Sequence, residues 1–312
     1  MSCEFILKNG KNCRLKVKKT FNTKMYCTRH YNLQKINSSI DLESLGLKGF
    51  EIIKNIGNGA FGQVFMIQET DTMVYYAIKI TRNERKKEAD LLYFEYLLLS
   101  QHFVGNNAFP KLLTNVANSY KKTSSETYLI LEHFEETLYQ RFSKCNKMFS
   151  NAQIQSYGIQ MLNIVEYIHT KQYLYIDVKP DNFMFKTEDD TSIKIIDFGL
   201  CQKYTDYKGK HIKSKELSNP IGTDLYSSVR MMSRLQPGRV DDIECIGYLL
   251  LHLSCGDLPW SKASSADEIL SMKKDVTTFR DAPEYIRALI ISSQRFKFDS
   301  QPDYNQFRAF LL

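Results

Sequence analysis

Two polar clusters closing two short apolar runs restrict this chain more than any other feature. The first cluster is Asp177, Lys179 and Asn182, spaced D-x-K-x-x-N, with Pro180 setting the turn between them. The run after it ends at Phe185, a polar turn covers Lys186 to Ser192, and the next run, IKIIDFG, ends in Asp197-Phe198-Gly199. The pattern predicts two short strands with a turn between them. A solvated Asp/Lys/Asn turn would account for the first cluster alone. It does not account for an ordered set that begins more than a hundred residues earlier.

That set opens with the alternating strand FEIIKNI, residues 50–56, followed by Gly57-Asn58-Gly59-Ala60-Phe61-Gly62. In a dinucleotide-binding unit a helix follows such glycines. Here Val64, Met66 and their neighbours read as a second strand, so the loop is the tip of a hairpin. Glycines let backbone N–H groups approach a phosphate with no Cβ in the way. From this loop alone, an ordinary flexible hairpin is an equally good reading. The third strand, MVYYAIKI (73–80), carries Lys79. A helix predicted from about Asn83 places Glu95 inside the apolar run LLYFEYLLL. A buried, unpaired carboxylate costs several kcal/mol, so Glu95 requires a partner or a wet edge; a pair with Lys79 positioned on nucleotide phosphates supplies one, and a snorkelling surface glutamate with a solvated edge lysine is the alternative. TYLILEHF (127–134) is a further strand, and a helix starts near Asn151 behind a Ser150/Gln153 capping box. Ile154, Tyr157, Met161, Leu162, Val165 and Ile168 recur in that helix at core spacing.

Phosphoryl transfer from ATP needs oxygen ligands for Mg²⁺, a carboxylate facing the attacking hydroxyl, and a cation near the moving phosphate. Asn182 and Asp197 suit the metal, Asp177 the hydroxyl and Lys179 the γ-phosphate.

With these residues in this order, the chain resembles the eukaryotic-type protein kinases from about Phe50 onward. Within them it is most similar to the casein kinase 1 and vaccinia-related kinase group, through IDVKPDNFMF, IIDFGLCQKY, GTDLYSS, DDIECIGYLLLHLSCGDLPW and KFDSQPDYNQF. The resemblance implies an α+β bilobal fold, with a small antiparallel-sheet N-lobe (about 49–132) and a mainly helical C-lobe (about 135–312). It implies ATP contacts from the glycine loop, Ile56 to Gly62, and from Val64, Ala77, Lys79 and Glu95. Leu131 falls at the gatekeeper position, and Glu132 to Phe134 at the adenine-binding hinge. Lys179 marks Ser/Thr specificity, and Asp242 matches the aspartate that tethers the catalytic loop. The usual A-P-E motif is absent, and Ser227-Ser228-Val229 stands about where the group has its own replacement. Small-molecule kinases share part of the set, but Lys179 and the long segment after Asp197 favour protein substrates.

Two departures matter. The family's H-R-D reads Tyr175-Ile176-Asp177, so a phosphate on the activation segment lacks its usual arginine partner. Leu225 stands where casein kinase 1 enzymes carry an arginine that reads primed substrates. The stretch 203–215 is nonetheless basic, which favours acidic substrates or is simply a solvated loop.

The net charge of +7 is unevenly spread. Residues 1–37 hold nine Lys/Arg against Glu4, leaving 33 basic and 34 acidic side chains in the remaining 275 residues. In this head, Cys3, Cys13, Cys27 and His30 form C-x9-C-x13-C-x2-H, a thiolate and imidazole set suited to structural zinc. So short a segment cannot build its own core, which favours a metal-stapled module over residues 1–33. Three chance cysteines on an arm is the alternative. The layout resembles small zinc segments in proteins of large cytoplasmic DNA viruses, which would place the chain in host cytoplasm or virion. The basic charge with Phe5, Phe21, Tyr26 and Tyr31 permits nucleic-acid binding. Residues 34–48 read as a linker. Seven cysteines in uneven positions argue against a disulfide framework and for a reducing, cytoplasmic setting. Nothing reads as a secretory signal or a membrane span.

Overall fold

A computed structural model describes residues 19–21, 24–26, 40–59, 62–113 and 119–312. Two units emerge. The first comprises Met1–Tyr96 with Lys111–His133, and the second comprises Leu97–Pro110 with Phe134–Leu312.

In the first unit, β1 (Lys19–Phe21) and β2 (Lys24–Tyr26) pair antiparallel. The main sheet has five antiparallel strands: β3 (Phe50–Gly59), β4 (Gly62–Glu69), β5 (Tyr75–Arg82), β7 (Glu126–Glu132) and β6 (Tyr120–Lys122), in that spatial order. The strand that follows the glycines is thus observed as β4, and the glycine loop is a hairpin tip. Cross-strand partners share a face. Phe65, Ile67, Ile78, Ile80, Tyr128 and Ile130 therefore form one apolar face. Ile40, Leu42, Leu45 and Leu47 cover it as part of the same buried cluster. Residues 40–48 belong to the stretch 34–48 whose sequence reads as a linker. Their four apolar side chains follow no regular period, yet all are buried. Lys121 Nζ donates to Leu45 O at 3.1 Å and pins the segment to the sheet edge.

Helix α1 runs Lys86–Leu97 rather than from Asn83. Asn83 is engaged elsewhere. Its N–H donates to Ser125 O at 2.8 Å, its amide donates to Thr123 O at 2.8 Å, and its carbonyl accepts from Thr127 Oγ1 at 2.7 Å. A short polar side chain that bonds neighbouring backbone in this way competes with helix.

The second unit is mainly helical among the described residues. It contains α2 (Leu138–Lys144), α3 (Asn151–Thr170), α4 (Val229–Met232), α5 (Arg239–Cys255), α6 (Ala266–Lys274), α7 (Glu284–Gln294) and α8 (Tyr304–Phe310). The expected capping box opens α3: Gln153 N–H donates to Ser150 Oγ at 3.3 Å, and Ser150 N–H to Gln153 Oε1 at 3.0 Å. Every residue of α5 from Val240 to Leu253 is buried, so this helix is the core around which the unit packs. Short strands β8 (Glu136–Thr137), β10 (Phe183–Phe185) and β11 (Lys194–Ile195) form a three-stranded sheet, and β9 (Tyr173–Leu174) pairs with β12 (Gln202–Lys203). Arg141 closes the polar turn between β10 and β11. Its guanidinium donates to the carbonyls of Thr187, Glu188 and Asp190 and lies 3.4 Å from the centroid of Phe185. Residues 97–110, expected with the smaller lobe, belong here. Phe103 and Phe109 pack on Phe198 at 5.5 and 5.6 Å, and Ala108 O accepts from Ile195 N–H at 2.8 Å.

No helix among the described residues is long and apolar enough to cross a membrane.

Candidate active site

The opposite face of the first unit's sheet carries a second set of side chains. Lys79 pairs across strands with Val64 and Leu129, and Ala77 with Met66 and Leu131. Val64, Ala77, Lys79 and Leu131 therefore share the face opposite the one sealed by residues 40–47. Glu95 on α1 reaches this face. Its carboxylate holds Lys79 Nζ at 2.7 Å through both oxygens. Glu95 is 2 % exposed and Lys79 8 %, so this is a desolvated pair rather than a surface contact.

Such a pair contributes little net stability, because desolvation offsets its attraction, whereas breaking it is costly. Glu95→Ala is expected to lower stability by about 3 kcal/mol, because it takes the carboxylate away from a buried ammonium. A Lys79→Met/Glu95→Leu double substitution should recover most of that loss but none of the activity. Urea denaturation and an activity assay on the same samples check both halves. A double variant as unstable as Glu95→Ala would contradict the reading.

At the hairpin, Ile56 lies in the register irregularity between Asn55 and Gly57 and is exposed. Asn58 Oδ1 accepts from the Asn55 amide at 3.2 Å. Gly62 has φ +108°, and a Cβ there would sit 2.3 Å from Ile80 O, so only glycine closes this turn. Ala60 and Phe61, and Gly59 beyond its backbone, lie outside the described residues. Glu132 N–H is already engaged by Lys111 O at 2.8 Å. Phe134 opens the second unit and is buried.

In the second unit, the residues of the first cluster converge on one carboxylate. Asp177 Oδ1 accepts from Thr223 Oγ1 at 2.8 Å. Its Oδ2 accepts from Lys179 Nζ at 2.5 Å and from the Asn182 amide at 3.0 Å. Asn182 also donates to Asp177 O at 2.9 Å. Pro180 begins the 3-10 turn Pro180–Asn182 that makes this convergence possible.

Asp197 is brought beside Asn182 by the bond from Ile196 N–H to Asn182 O at 3.0 Å. The Asp197 backbone is left-handed, φ +65°, and its carboxylate accepts weakly from Gly199 N–H at 3.4 Å. Asn182 spends its amide nitrogen on Asp177, which leaves its carbonyl oxygen for a cation. One carboxylate and one amide oxygen fit Mg²⁺, which takes few protein ligands and completes its shell with water and substrate phosphate. Among the described residues there is no cluster of three or more His, Cys, Asp or Glu suited to a metal.

The segment that presents Asp177 is held from beneath. Asp242 on α5 is 1 % exposed and accepts from three donors: Tyr175 N–H at 2.8 Å, Ile176 N–H at 2.7 Å and His169 Nε2 at 2.8 Å. Tyr304 OH lies 2.5 Å from the other ring nitrogen of His169. Ile176 has φ +75°, a strained value for a β-branched residue. The Asp242 bond to its N–H is what holds it there. Tyr175 is fully buried, donates to Ile196 O at 2.7 Å and meets Phe198 edge-on at 6.1 Å. Burial, with Asp197 and Asp177 adding to it, pushes the Tyr175 phenol well above its ordinary range, so it stays neutral.

Sequence reasoning missed Thr223 and the pair His169–Tyr304. Thr223 lay inside the recognised GTDLYSS segment without being singled out. His169, a polar residue at a buried position of α3, was the available signal for the second. The proposed zinc ligands Cys3, Cys13, Cys27 and His30 lie outside the described residues.

One candidate set of side chains thus lies on the antiparallel sheet of the first unit, and another on a helix-supported loop of the second. Both lie within residues 50–303, the span matched by the family model for the protein kinase domain. With four-fifths of its length so matched, the chain belongs to the protein kinase domain family.

Proposed function

We propose that this chain is a Ser/Thr protein kinase, related to the casein kinase 1 group, that transfers the γ-phosphate of ATP to protein hydroxyls. The observation that carries this reading is the Asp177 carboxylate with Thr223, Lys179 and Asn182 gathered on it. Asp177 would accept a hydrogen bond from the acceptor hydroxyl and orient it for attack. Lys179 would meet the γ-phosphate, and Lys79, held by Glu95, the phosphates nearer the nucleoside. Mg²⁺ bound with ATP would neutralise charge developing on the transferring group, and Asn182 and Asp197 would hold it. Val64, Ala77 and Leu131 supply an apolar face for adenine. Phosphate transfer from ATP to casein tests the reading, with Asp177→Ala as control. Equal labelling by both proteins would overturn it, and would favour a kinase-like scaffold recruited through the basic head.

Activity without activation-segment phosphorylation is part of the proposal. Ile176, 1 % exposed, fills the place where a phosphate-reading arginine would stand. The segment is also ordered by its own backbone bonds, among them Ile212 N–H to Tyr204 O at 2.9 Å, Leu217 N–H to Arg234 O at 2.7 Å and Gln236 N–H to Lys215 O at 2.9 Å. Phosphatase treatment is expected to leave the rate within about twofold of the untreated enzyme, because no built cation site loses its anion. A collapse in rate would sink the idea.

Lys203, Lys208, Lys210, Lys213 and Lys215 are all exposed, which supports a preference for acidic protein substrates. The reading of Cys3, Cys13, Cys27 and His30 as a structural zinc set, on a head able to bind nucleic acid, rests on spacing and charge.

A further inference from the structure

Lys273, near the end of α6, is a lysine with no solvent exposure. Its ammonium donates to Asp224 O at 2.7 Å and to Ser227 O at 2.7 Å. It also lies 4.6 Å from the ring centroid of Tyr248 and 5.0 Å from that of Trp260. Two carbonyls and an aromatic pair satisfy a group that has three protons and no acceptor. Burial lowers its pKa to about 8, so the amine still carries charge near neutrality. Burying a lysine this deeply costs desolvation, which invites the question of what it holds.

It holds a turn. Thr223 O accepts the N–H groups of Tyr226 and Ser227 at 2.8 and 2.9 Å, closing residues 223–227. Gly222 before it has φ +90°, and a Cβ there would lie 2.7 Å from Ser227 Oγ. Lys273 grips this turn on both sides of its bend, and Trp260 Nε1 donates to Leu225 O at 2.9 Å between the two grips. The segment continues in the same manner. Ser228 Oγ donates to Asp241 at 2.6 Å, and Val229 N–H to Glu244 at 2.9 Å. Its free end is Thr223, whose hydroxyl donates to Asp177.

We propose that Lys273 is a positioning residue for the protein acceptor. By clamping the carbonyls of Asp224 and Ser227 it fixes the 222–227 turn and, through Thr223, the Asp177 carboxylate, so this part of the acceptor platform is built without any covalent modification. The inference rests on the protein kinase reading above.

The test uses the full chain, with Lys273→Met, and with Trp260→Phe, which keeps a ring over the ammonium but deletes the bond to Leu225 O. Initial rates are measured with casein as acceptor, alongside the ATP dissociation constant and amide hydrogen exchange at Tyr226 and Ser227. For Lys273→Met, kcat/KM for casein is expected to fall about tenfold or more, since buried charge-assisted bonds are lost. ATP affinity should stay within about threefold, and the two amides should exchange faster. A variant that only unfolds more would lose ATP-binding capacity and casein activity in proportion. That result, or unchanged casein kinetics in a folded protein, overturns the proposal. Should Lys273→Met fail to fold, Trp260→Phe decides: a kcat/KM about threefold or more lower with faster exchange supports the clamp, and wild-type kinetics overturn it. Failure of the kinase reading would look different. The unaltered chain would then label casein no better than Asp177→Ala, and this proposal would fall with it.

Discussion

Asp177→Asn is expected to lower kcat for phosphate transfer about 10²- to 10⁴-fold, the range for loss of a positioned acid–base group, while ATP affinity changes little. The carboxylate has two oxygens, and both are occupied by donors: Thr223 on one, Lys179 and Asn182 on the other. An amide in its place offers one acceptor oxygen and turns an N–H₂ toward the donors on its other side. Thr223 can rotate its hydroxyl, but the Lys179 ammonium cannot accept at all. The substitution therefore removes both the charge that would orient the acceptor hydroxyl and the geometry of its neighbours. Steady-state rates with casein at saturating ATP check the first effect, and a nucleotide-binding titration checks the second. A variant that retains more than a tenth of the wild-type rate would place the hydroxyl-facing group elsewhere.

Asp242→Ala should be the most damaging single change to stability, costing about 3–5 kcal/mol, because it removes one partner from a buried, charge-assisted network. Three donors lose their acceptor together: two consecutive backbone N–H groups and the His169 ring. A methyl group cannot replace any of them, and the cavity is too deep for bulk water, since Asp242 and His169 side chains are each 2 % exposed. The effect reaches the active site as well. The left-handed backbone at Ile176 is held by one of these bonds, and release of that strain moves the following residue, Asp177. Denaturant midpoint and kcat are therefore expected to fall together. Tyr304→Phe, which deletes only the outermost member of the chain, should cost far less of both. An Asp242→Ala midpoint equal to wild type would show that the loop is held by other contacts.

How much of this was legible in the sequence depended on the range of the interaction. The strand after the glycines, the capping box at Ser150 and the need of Glu95 for a partner all follow from local pattern or from a single cost, that of burying a charge. The structure bears each of them out. Asn83 shows where local pattern fails: its charged neighbours suit a helix, but its amide is better satisfied by Thr123 and Thr127 some forty residues away. The segment 40–47 failed for a related reason. Four apolar residues without period resemble a linker until the sheet that receives them has formed. In the candidate site, the residues that touch one another within a few positions could be grouped from their spacing. Thr223, His169 and Lys273 could not, because each acts through a bond spanning at least 46 residues.

The buried Ile40–Leu47 segment also moves the working edge of the catalytic domain. By family match the domain starts at residue 50, but the buried core of its sheet takes in side chains up to ten residues earlier. Four side chains that each contribute roughly 1.5–3 kcal/mol on burial lie before the matched span. A fragment trimmed to that span would bare the sheet's outer face and invite self-association. The same stretch is where the cationic head is moored. The chain before Ile40 thus joins the domain at the face of the sheet opposite Lys79. That junction is made of core residues, so a deletion within it would dismantle the sheet.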